Sequence, residues 1–433
     1  MKSRSALPFV LLLVLSLQSP GAIKALKRDY LAEAEAALRR NDSDTAMKSL
    51  DAALDENPEQ AGAHFWRGRL FAGKNEWDKA LTDLNEAVRL DPTNSQNYGY
   101  RGYVFQKRRE MDAALADFNT AVRLNPQDDW ALYCRGLLFG ERGDLRTAVG
   151  DLDAALEANP NNLAAINARG HVHMLRREPE KAVIDFERAI QFEPRDPAGY
   201  TGRAAVAFMK GEFQKAVDDY SKVIELLPND ARPRVQRGYA CAALNQDEKA
   251  LADFEAALQI DPKEESARIG RAELRRMKKK WDDAIADYEA VLANDPADYR
   301  ALMGRAAAHY GAGELAKALT DYAETTKQHP EEPQPFNDYA WLLATATKDD
   351  VRNGARAVEL ANQACKITEF KNAAYVDTLA AAYAENGDFA NALKWQEQAV
   401  KLSVGEPVEV QQEMKDRIAL YKEQKPYREE LKQ

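Results

Sequence analysis

Small and large apolar residues recur at fixed places along most of this chain, with a spacing of 34 residues. If the recurring proline is numbered 32, the first unit begins at Lys27 and the ninth at Tyr299. Nine evenly spaced prolines keep this step: Pro58, Pro92, Pro126, Pro160, Pro194, Pro228, Pro262, Pro296 and Pro330. The chain from 27 to 332 is therefore nine regular repeats of one structural unit.

Three positions of the unit carry the packing signal. Position 8 is small in every repeat: Ala34, Gly68, Gly102, Gly136, Gly170, Ala204, Gly238, Ala272 and Ala306. Position 20 is alanine: Ala46, Ala80, Ala114, Ala148, Ala182, Ala216, Ala250, Ala284 and Ala318. Position 24 is large: Leu50, Leu84, Phe118, Leu152, Phe186, Tyr220, Phe254, Tyr288 and Tyr322. Small residues at 8 and 20 let two helices approach closely, and the large residue at 24 fills the space beside them.

Each unit is thus predicted to hold two antiparallel helices, A and B. The proline ends helix B, because it cannot continue a helix and it pushes the residue before it out of helical geometry. Two irregular repeats follow over 333–404. In the tenth, Ala340 takes position 8 and Ala357 position 20, which places about five extra residues in the turn. In the eleventh, Ala380 and Ala392 take these positions. Residues 405–433 are predicted to form a capping helix and a tail, since the end of a repeat array needs a cover.

A period of 34 with these signature positions resembles the tetratricopeptide repeat (TPR) family. The resemblance covers about nine-tenths of the chain and implies an all-α fold. That fold is a right-handed α-α superhelical solenoid, here with about eleven repeats and a C-terminal capping helix. The block 337–402 with Lys425, Pro426 and Tyr427 resembles the C-terminal arrangement of some large bacterial members. A fold of this kind does not by itself name a function.

The first 25 residues are predicted to be a secretory signal peptide. Lys2 and Arg4 precede a ten-residue apolar run from Pro8 to Leu17, which is too short to span a bilayer as a helix. Cleavage is expected near Ala25, with Ala22 as the other option. An exported, periplasmic or secreted protein follows from this prediction, with no stable membrane insertion after cleavage. An uncleaved membrane anchor is the alternative.

Composition and charge narrow the classes of partner. The chain has 45% hydrophobic residues, few glycines and a net charge of -10. Nucleic-acid binding is disfavoured, because it needs a concentrated basic surface. The three cysteines, Cys134, Cys241 and Cys365, lie more than a hundred residues apart and form neither a disulfide framework nor a zinc motif. They are expected to be buried apolar residues.

A second periodic signal is charged. Position 7 is arginine in eight consecutive repeats: Arg67, Arg101, Arg135, Arg169, Arg203, Arg237, Arg271 and Arg305. Position 23 is aspartate in the same eight: Asp83, Asp117, Asp151, Asp185, Asp219, Asp253, Asp287 and Asp321. A ligand-binding ladder is one interpretation. Structural ion pairs within each repeat are favoured, because both positions adjoin core positions and both signals begin and end in the same repeats.

The TPR resemblance implies a binding surface on the concave face, which is lined by positions 2, 5, 9 and 12 of helix A. Twelve residues are predicted to lie on it: Phe65, Arg69, Tyr103, Gln106, Trp130, Tyr133, Asn167, His171, Phe208, Arg232, Tyr239 and Arg276. Aromatic residues and arginines dominate binding energy at interfaces. Burial between repeats is the competing interpretation for part of this set.

No catalytic or metal-binding pattern stands out. Phosphate-binding glycine-rich loops, G-x-S-x-G elbows and H-E-x-x-H pairs are missing from the sequence. His171 and His173 are two apart on a predicted helix, so they point to different sides and do not suit a shared metal. No cofactor or enzymatic activity is expected. Position 5 also lacks the lysine with which some family members grip chaperone tails.

The sequence favours a non-catalytic scaffold that binds a protein or peptide of unknown identity on its concave face and mediates assembly of a multiprotein complex. One alternative is a structural component of envelope or secretion machinery that self-associates. Another is the regulatory subunit of a separately encoded enzyme. A non-protein ligand such as a glycan is also compatible with an aromatic groove.

Overall fold

The computed structural model describes residues 29–429, and the regular secondary structure of this part of the chain is helical. It holds 23 α-helices and one short 3-10 helix, Asp349–Val351, with no β-strand among these residues. The predicted all-α fold class is confirmed. The predicted signal peptide and residues 430–433 of the predicted tail lie outside the described residues.

The chain divides after Phe192 into two compact units. Unit 1 contains α1 Tyr30–Arg39, α2 Ser43–Glu56, α3 Ala61–Gly73, α4 Trp77–Leu90, α5 Ser95–Lys107, α6 Met111–Leu124, α7 Asp129–Glu141, α8 Leu145–Ala158, α9 Leu163–Leu175 and α10 Pro179–Phe192. Unit 2 contains α11 Pro197–Met209, α12 Phe213–Leu226, α13 Arg232–Ala243, α14 Asp247–Ile260, α15 Glu265–Met277, α16 Trp281–Leu292, α17 Tyr299–Gly311, α18 Leu315–Gln328, α19 Pro333–Thr345, α20 Gly354–Ile367, α21 Ala373–Glu385, α22 Phe389–Leu402 and α23 Val408–Lys422. The first 22 helices form eleven A–B pairs, and α23 follows them.

Close approach at positions 8, 20 and 24 holds each pair together. Ala80 and Leu84 have no exposed surface. A Cβ added at Gly68 would lie 2.9 Å from Leu84 Cγ and 3.2 Å from the Ala80 carbonyl oxygen. The same addition at Gly170 would meet the fully buried Phe186 ring at 2.8 Å. Glycine at these sites therefore sets the distance between the A and B helices.

The turn from helix A to helix B depends on position 15, which adopts a left-handed backbone conformation. Asn75 has φ 61°, Arg109 66° and Gly143 81°. The next amide then donates back across the end of helix A, as from Glu76 N to Phe71 O at 2.9 Å. This arrangement satisfies carbonyls that the helix itself leaves without partners.

Contacts between successive A helices form the inner layer of each unit. In unit 1 the A helices α3, α5, α7 and α9 touch one another in succession. In unit 2 the same holds for α13, α15 and α17, and for α19 with α21. We call the surface on which these helices carry positions 2, 5, 9 and 12, together with the side chains that adjoin them there, the inner face of that unit.

The C-terminal repeats depart from the regular spacing. The longer turn between α19 and α20 is held by Arg352, whose guanidinium donates to the carbonyl oxygens of Ala346 and Thr347 and to Glu385 Oε1 at 2.9–3.1 Å. Helix α23 packs on α22 and buries Met414 and Tyr421. Among residues 29–429, none of the helices has both the length and the apolar character required to cross a membrane.

Candidate functional site

The periodic arginines and aspartates lie against each other within their own repeats. In all eight, arginine Nε donates to aspartate Oδ2 and Nη2 donates to Oδ1, at 2.6–3.0 Å. The aspartates are only 2–8% exposed. The hydrogen bonds that Arg67 donates to Asp83 raise the pKa of Arg67. Because each aspartate uses both oxygens inside its repeat, these pairs are structural and do not form a surface for a ligand.

In several of these repeats the remaining arginine nitrogen donates to the preceding repeat. Nη1 of Arg67, Arg101 and Arg135 donates to Asp51, Asn85 and Asn119, at 2.9–3.0 Å. Arg237 in unit 2 makes the same bond to Ser221 at 3.0 Å. These acceptors share position 25, a polar signal that the sequence interpretation missed. Each such arginine therefore connects its own A and B helices to the B helix before them.

The inner face of unit 1 carries a row of aromatic side chains from α3, α5 and α7. Tyr100 and Trp130 stack with ring centroids 5.6 Å apart, and Trp130 lies 5.9 Å from Tyr103 and 5.7 Å from Tyr133. The Arg69 guanidinium lies 5.0 Å from Tyr100 and also 5.0 Å from Trp66. We call these six residues the aromatic row.

Arg69 is the exposed member of the aromatic row, and its aromatic neighbours are half-buried. Among residues 29–429, no side chain or backbone carbonyl accepts a hydrogen bond from its guanidinium. Beside it lies a cavity of about 550 Å³, lined by Glu35, Leu38, Trp66 and Arg69 among others. This size is within the range of small-ligand sites. The combination of flat aromatic surface and a free cationic edge suits apolar and carboxylate groups of a ligand.

The other residues predicted on the unit 1 face differ in accessibility. Phe65 is 5% exposed and packs edge-on against Trp66 and Tyr100, and Gln106 is 9% exposed. These two have little surface to offer a ligand. Asn167 is half-buried and His171 is exposed beside Phe186. The sequence interpretation missed Trp66 and Tyr100 because they stand at position 6, outside the four inner positions considered.

In unit 2 the predicted residues are spread along α11, α13 and α15. Arg232 is exposed and is bound by Asp230, and Phe208 is half-buried with its ring 5.2 Å from Phe213. Tyr239 donates to the Ser266 carbonyl oxygen at 2.7 Å. Arg276 is half-buried near Tyr288, and burial raises the pKa of that phenol to about 12 against the opposing effect of the arginine. These four do not form one continuous cluster.

A tighter cluster lies further along unit 2, where it involves the C-terminal residues. Tyr310 at position 12 and Trp341 at position 9 both donate to one carboxylate oxygen of Glu429, at 2.6 Å each. Tyr310 and Trp341 belong to repeats nine and ten. The inner-face residues predicted from the sequence all lie in repeats two to eight, so these two were not among them.

The histidines and cysteines considered in the sequence do not form a cluster on the inner faces described here. His173 is buried with Nδ1 2.7 Å from Glu178, whereas His171 points outward beside Phe186. All three cysteines are buried. Within residues 29–429 there is no cluster of three or more His, Cys, Asp or Glu side chains suited to a metal ion.

Comparison with known proteins identifies what the chain is similar to. Two family models described as tetratricopeptide repeat match it, one over residues 31–95, 133–199 and 269–333, the other over 231–264 and 375–403. Together they cover more than half of the 433 residues. No curated protein matches the chain in sequence.

Several solved structures resemble parts of it. A tetratricopeptide repeat protein from Parabacteroides merdae ATCC 43184 is 27% identical, and the match covers 57% of this chain and 96% of that one with a TM-score of 0.44. YrrB, described as a TPR protein with an unusual peptide-binding site, is 21% identical over 42% of this chain and 95% of its own, with a TM-score of 0.37. The pilF protein of Pseudomonas aeruginosa is 17% identical over 49% and 97%, with a TM-score of 0.45.

Proposed function

Because the chain belongs to the tetratricopeptide repeat family, we propose that it is a non-catalytic scaffold that binds an extended segment of a partner protein on its inner faces. Repeat arrays of this family are generally protein-interaction modules, and their stacked helices create long binding surfaces. By holding such segments the protein would mediate assembly of a multiprotein complex. The observation that carries the proposal is the aromatic row of unit 1 with its exposed Arg69.

The chemistry of this row defines the expected ligand. Tyr103, Trp130 and Tyr133 offer half-buried ring surface on which apolar or aromatic side chains can pack. Arg69 is held between two rings, so its guanidinium is already oriented and its N–H edge can bind a carboxylate with little further ordering. The expected segment therefore presents apolar residues with an acidic residue close by.

A site-specific photo-crosslinker tests this proposal directly. The photoreactive amino acid is placed at Tyr133 on the inner face, or at Phe192, which is 46% exposed at the end of α10. Each protein is irradiated in an extract of the source cells, and the crosslinked segment is sequenced by mass spectrometry. A single partner segment captured from the Tyr133 position only, and lost on Arg69→Ala, is the expected result. Identical capture at both positions would refute the inner-face assignment.

We also propose that the protein acts outside the cytoplasm, on the basis of the signal-like residues 1–25. N-terminal sequencing of the protein isolated from fractionated source cells tests this. A mature chain that starts after Ala25 or Ala22 supports export, and a chain that retains Met1 or Lys2 in the cytoplasmic fraction contradicts it.

A further inference from the structure

The chain returns to its own inner face after the last helix. Residues 423–429, which we call the C-terminal segment, follow α23 and lie over α17 and α19 of unit 2. We propose that this part of the inner face is a binding site for an extended peptide that presents an aromatic, a basic and an acidic residue in succession. The C-terminal segment is its resident and replaceable occupant.

The acidic subsite is formed by two neutral donors. The Tyr310 hydroxyl and the Trp341 indole nitrogen converge on Oε2 of Glu429, at 2.6 Å each. Hydrogen bonds to an ionised acceptor are shorter and stronger than neutral ones. Both donors occupy inner-face positions and are carried by separate A helices, so they form a site on the folded repeats. The subsite therefore selects a carboxylate over an amide.

The basic subsite is the C-terminal end of α19. Arg428 donates to the Ala344 carbonyl oxygen at 3.3 Å, and the Glu429 amide donates to that of Thr345 at 2.9 Å. Carbonyls in the last turn of a helix have no partner within it, and that end of the helix favours positive charge. The same arginine pairs with Glu385 Oε2 at 2.6 Å. A basic side chain directly before the acidic one is therefore recognised as well.

The aromatic subsite completes the sequence of three. The Tyr427 ring lies 5.8 Å from Trp341, and the Arg417 guanidinium lies 5.0 Å from the Tyr427 ring. Arg417 is fixed by its buried pair with Asp377. The consecutive residues 427, 428 and 429 thus each contact the repeats through their side chains. A groove that binds an extended peptide recognises its sequence through such successive side-chain contacts.

Two features make the segment replaceable. It has no helical or strand structure of its own from 425 to 429, so the contacts of residues 427–429, and no ladder of backbone hydrogen bonds, oppose its release. A cavity of about 180 Å³, lined by Tyr310, Tyr322, Asp338 and Trp341, adjoins Glu429. A partner peptide could use this space in addition to the subsites that the segment fills. Because the segment is tethered to α23, it competes with such a peptide at an effective concentration on the order of millimolar.

The test uses a fluorescent peptide with the sequence of residues 423–433 and measures its binding by anisotropy. The full chain is compared with a Tyr427→Ala/Arg428→Ala/Glu429→Gln variant, in which the competing segment is weakened. We expect the variant to bind the peptide at least about ten-fold more tightly than the wild type. A peptide with glutamine at the Glu429 position should bind the variant about ten-fold more weakly. Adding Tyr310→Phe to the variant should also weaken binding, since only the donor is removed.

Other outcomes overturn the proposal. Equal affinity of the wild type and the variant would mean that the segment does not compete, and no binding to the folded variant would mean that the face is not a peptide site. Doubling of the wild-type mass by sedimentation, lost in the variant, would assign the site to a second copy of this chain instead. If the triple variant does not fold by circular dichroism, Glu429→Gln alone replaces it.

This inference rests on the proposed function only in treating an inner face as a peptide-binding surface. Its residues all belong to unit 2, whereas the crosslinking experiment probes Tyr133 and Arg69 in unit 1. Failure of the anisotropy test with Tyr133 capture intact would remove the unit 2 site and leave the scaffold function. Failure of the Tyr133 capture alone would remove the proposed binding surface of unit 1 and leave the unit 2 site.

Discussion

Arg135 and Asp151 join helices α7 and α8 through two parallel hydrogen bonds of 2.7 Å each. Their side chains are 18% and 9% exposed, so the pair lies at the edge of the core with most of its charge removed from water. In such a position the attraction between partners and the cost of desolvation nearly cancel, and removing one partner leaves the other without compensation.

Arg135→Ala and Asp151→Ala should each lower the stability of unit 1 by about 3 kcal/mol. The double variant should lose less than the sum, because no unpaired charge remains. Denaturant midpoints give the ranking, and hydrogen exchange in α7 and α8 localises the effect, since repeat arrays need not unfold in two states. The matched control is the Arg142–Asp112 pair, whose aspartate side chain is 99% exposed. Breaking it should cost less than about 1 kcal/mol, and equal losses at both pairs would contradict this account.

Two glycine-to-alanine substitutions in unit 1 should change the stability of the fold in opposite directions. Gly170→Ala places a methyl group 2.8 Å from the buried Phe186 ring and should destabilise by about 1–3 kcal/mol through overpacking. Gly150→Ala, in the middle of α8 with open space around it, should stabilise by about 0.5–1 kcal/mol through higher helix propensity. Thermal melting of both variants checks the prediction. Stabilisation by Gly170→Ala would show that the helices can separate at little cost.

The three thiols should be inert in the folded protein. Burial raises the pKa of all three thiols above the usual value, that of Cys365 to about 12, so little thiolate forms at mildly alkaline pH. A colorimetric thiol reagent should release almost no signal from the native protein and three equivalents per chain after unfolding in guanidinium. A rapid native reaction would indicate that a cysteine reaches the surface by local opening.

The Glu314 side chain should make stability depend on pH below its ordinary pKa. His309 and Lys317 contact its carboxylate at 2.6 and 3.1 Å, and the bond with His309 is the main cause that lowers its pKa from 4.5. A lowered carboxyl pKa stabilises the fold above about 4.5, and this contribution is lost as pH falls through the lower folded value.

Glu314→Gln should therefore be less stable than the wild type at neutral pH, and the difference should shrink as pH is lowered from 4.5. Denaturant midpoints across this range measure it. Glu397→Gln, at an exposed glutamate on α22, serves as the control for the loss of one surface carboxylate. If the difference in stability between Glu314→Gln and the wild type stays constant with pH, the charge on Glu314 does not contribute to that difference.

The helical pairs were predicted well from the sequence, because the residues that pack each pair lie within one repeat and recur in the next. Ala80, Leu84 and Gly68 pack within one repeat, and the same arrangement occurs at each period. The left-handed turn at position 15 was not predicted from the sequence. Asparagine, glycine, arginine and lysine all adopt this conformation there, so the residue type at position 15 is not periodic. Position 25 was missed for the same reason, since aspartate, asparagine and serine all serve as the acceptor.

The candidate site was predicted less completely. Position number alone does not separate the exposed Arg69 from the buried Phe65, because the exposure of each depends on its contacts with other residues, such as Tyr100 of the next A helix. The contact of Glu429 with Tyr310 joins residues 119 apart and belongs to no repeat. Such a contact can be found only from the folded chain.

The third arginine bond has a consequence for how this array could have grown. Arg101 binds its own Asp117 and also Asn85 of the repeat before it, so a repeat of this kind carries one donor for its predecessor and one acceptor for its successor. A gene duplication that inserts one whole 34-residue unit among such repeats would leave every donor facing an acceptor. Insertions of other lengths would break that match. The chain could therefore lengthen or shorten by whole repeats without any compensating mutation at the new junction.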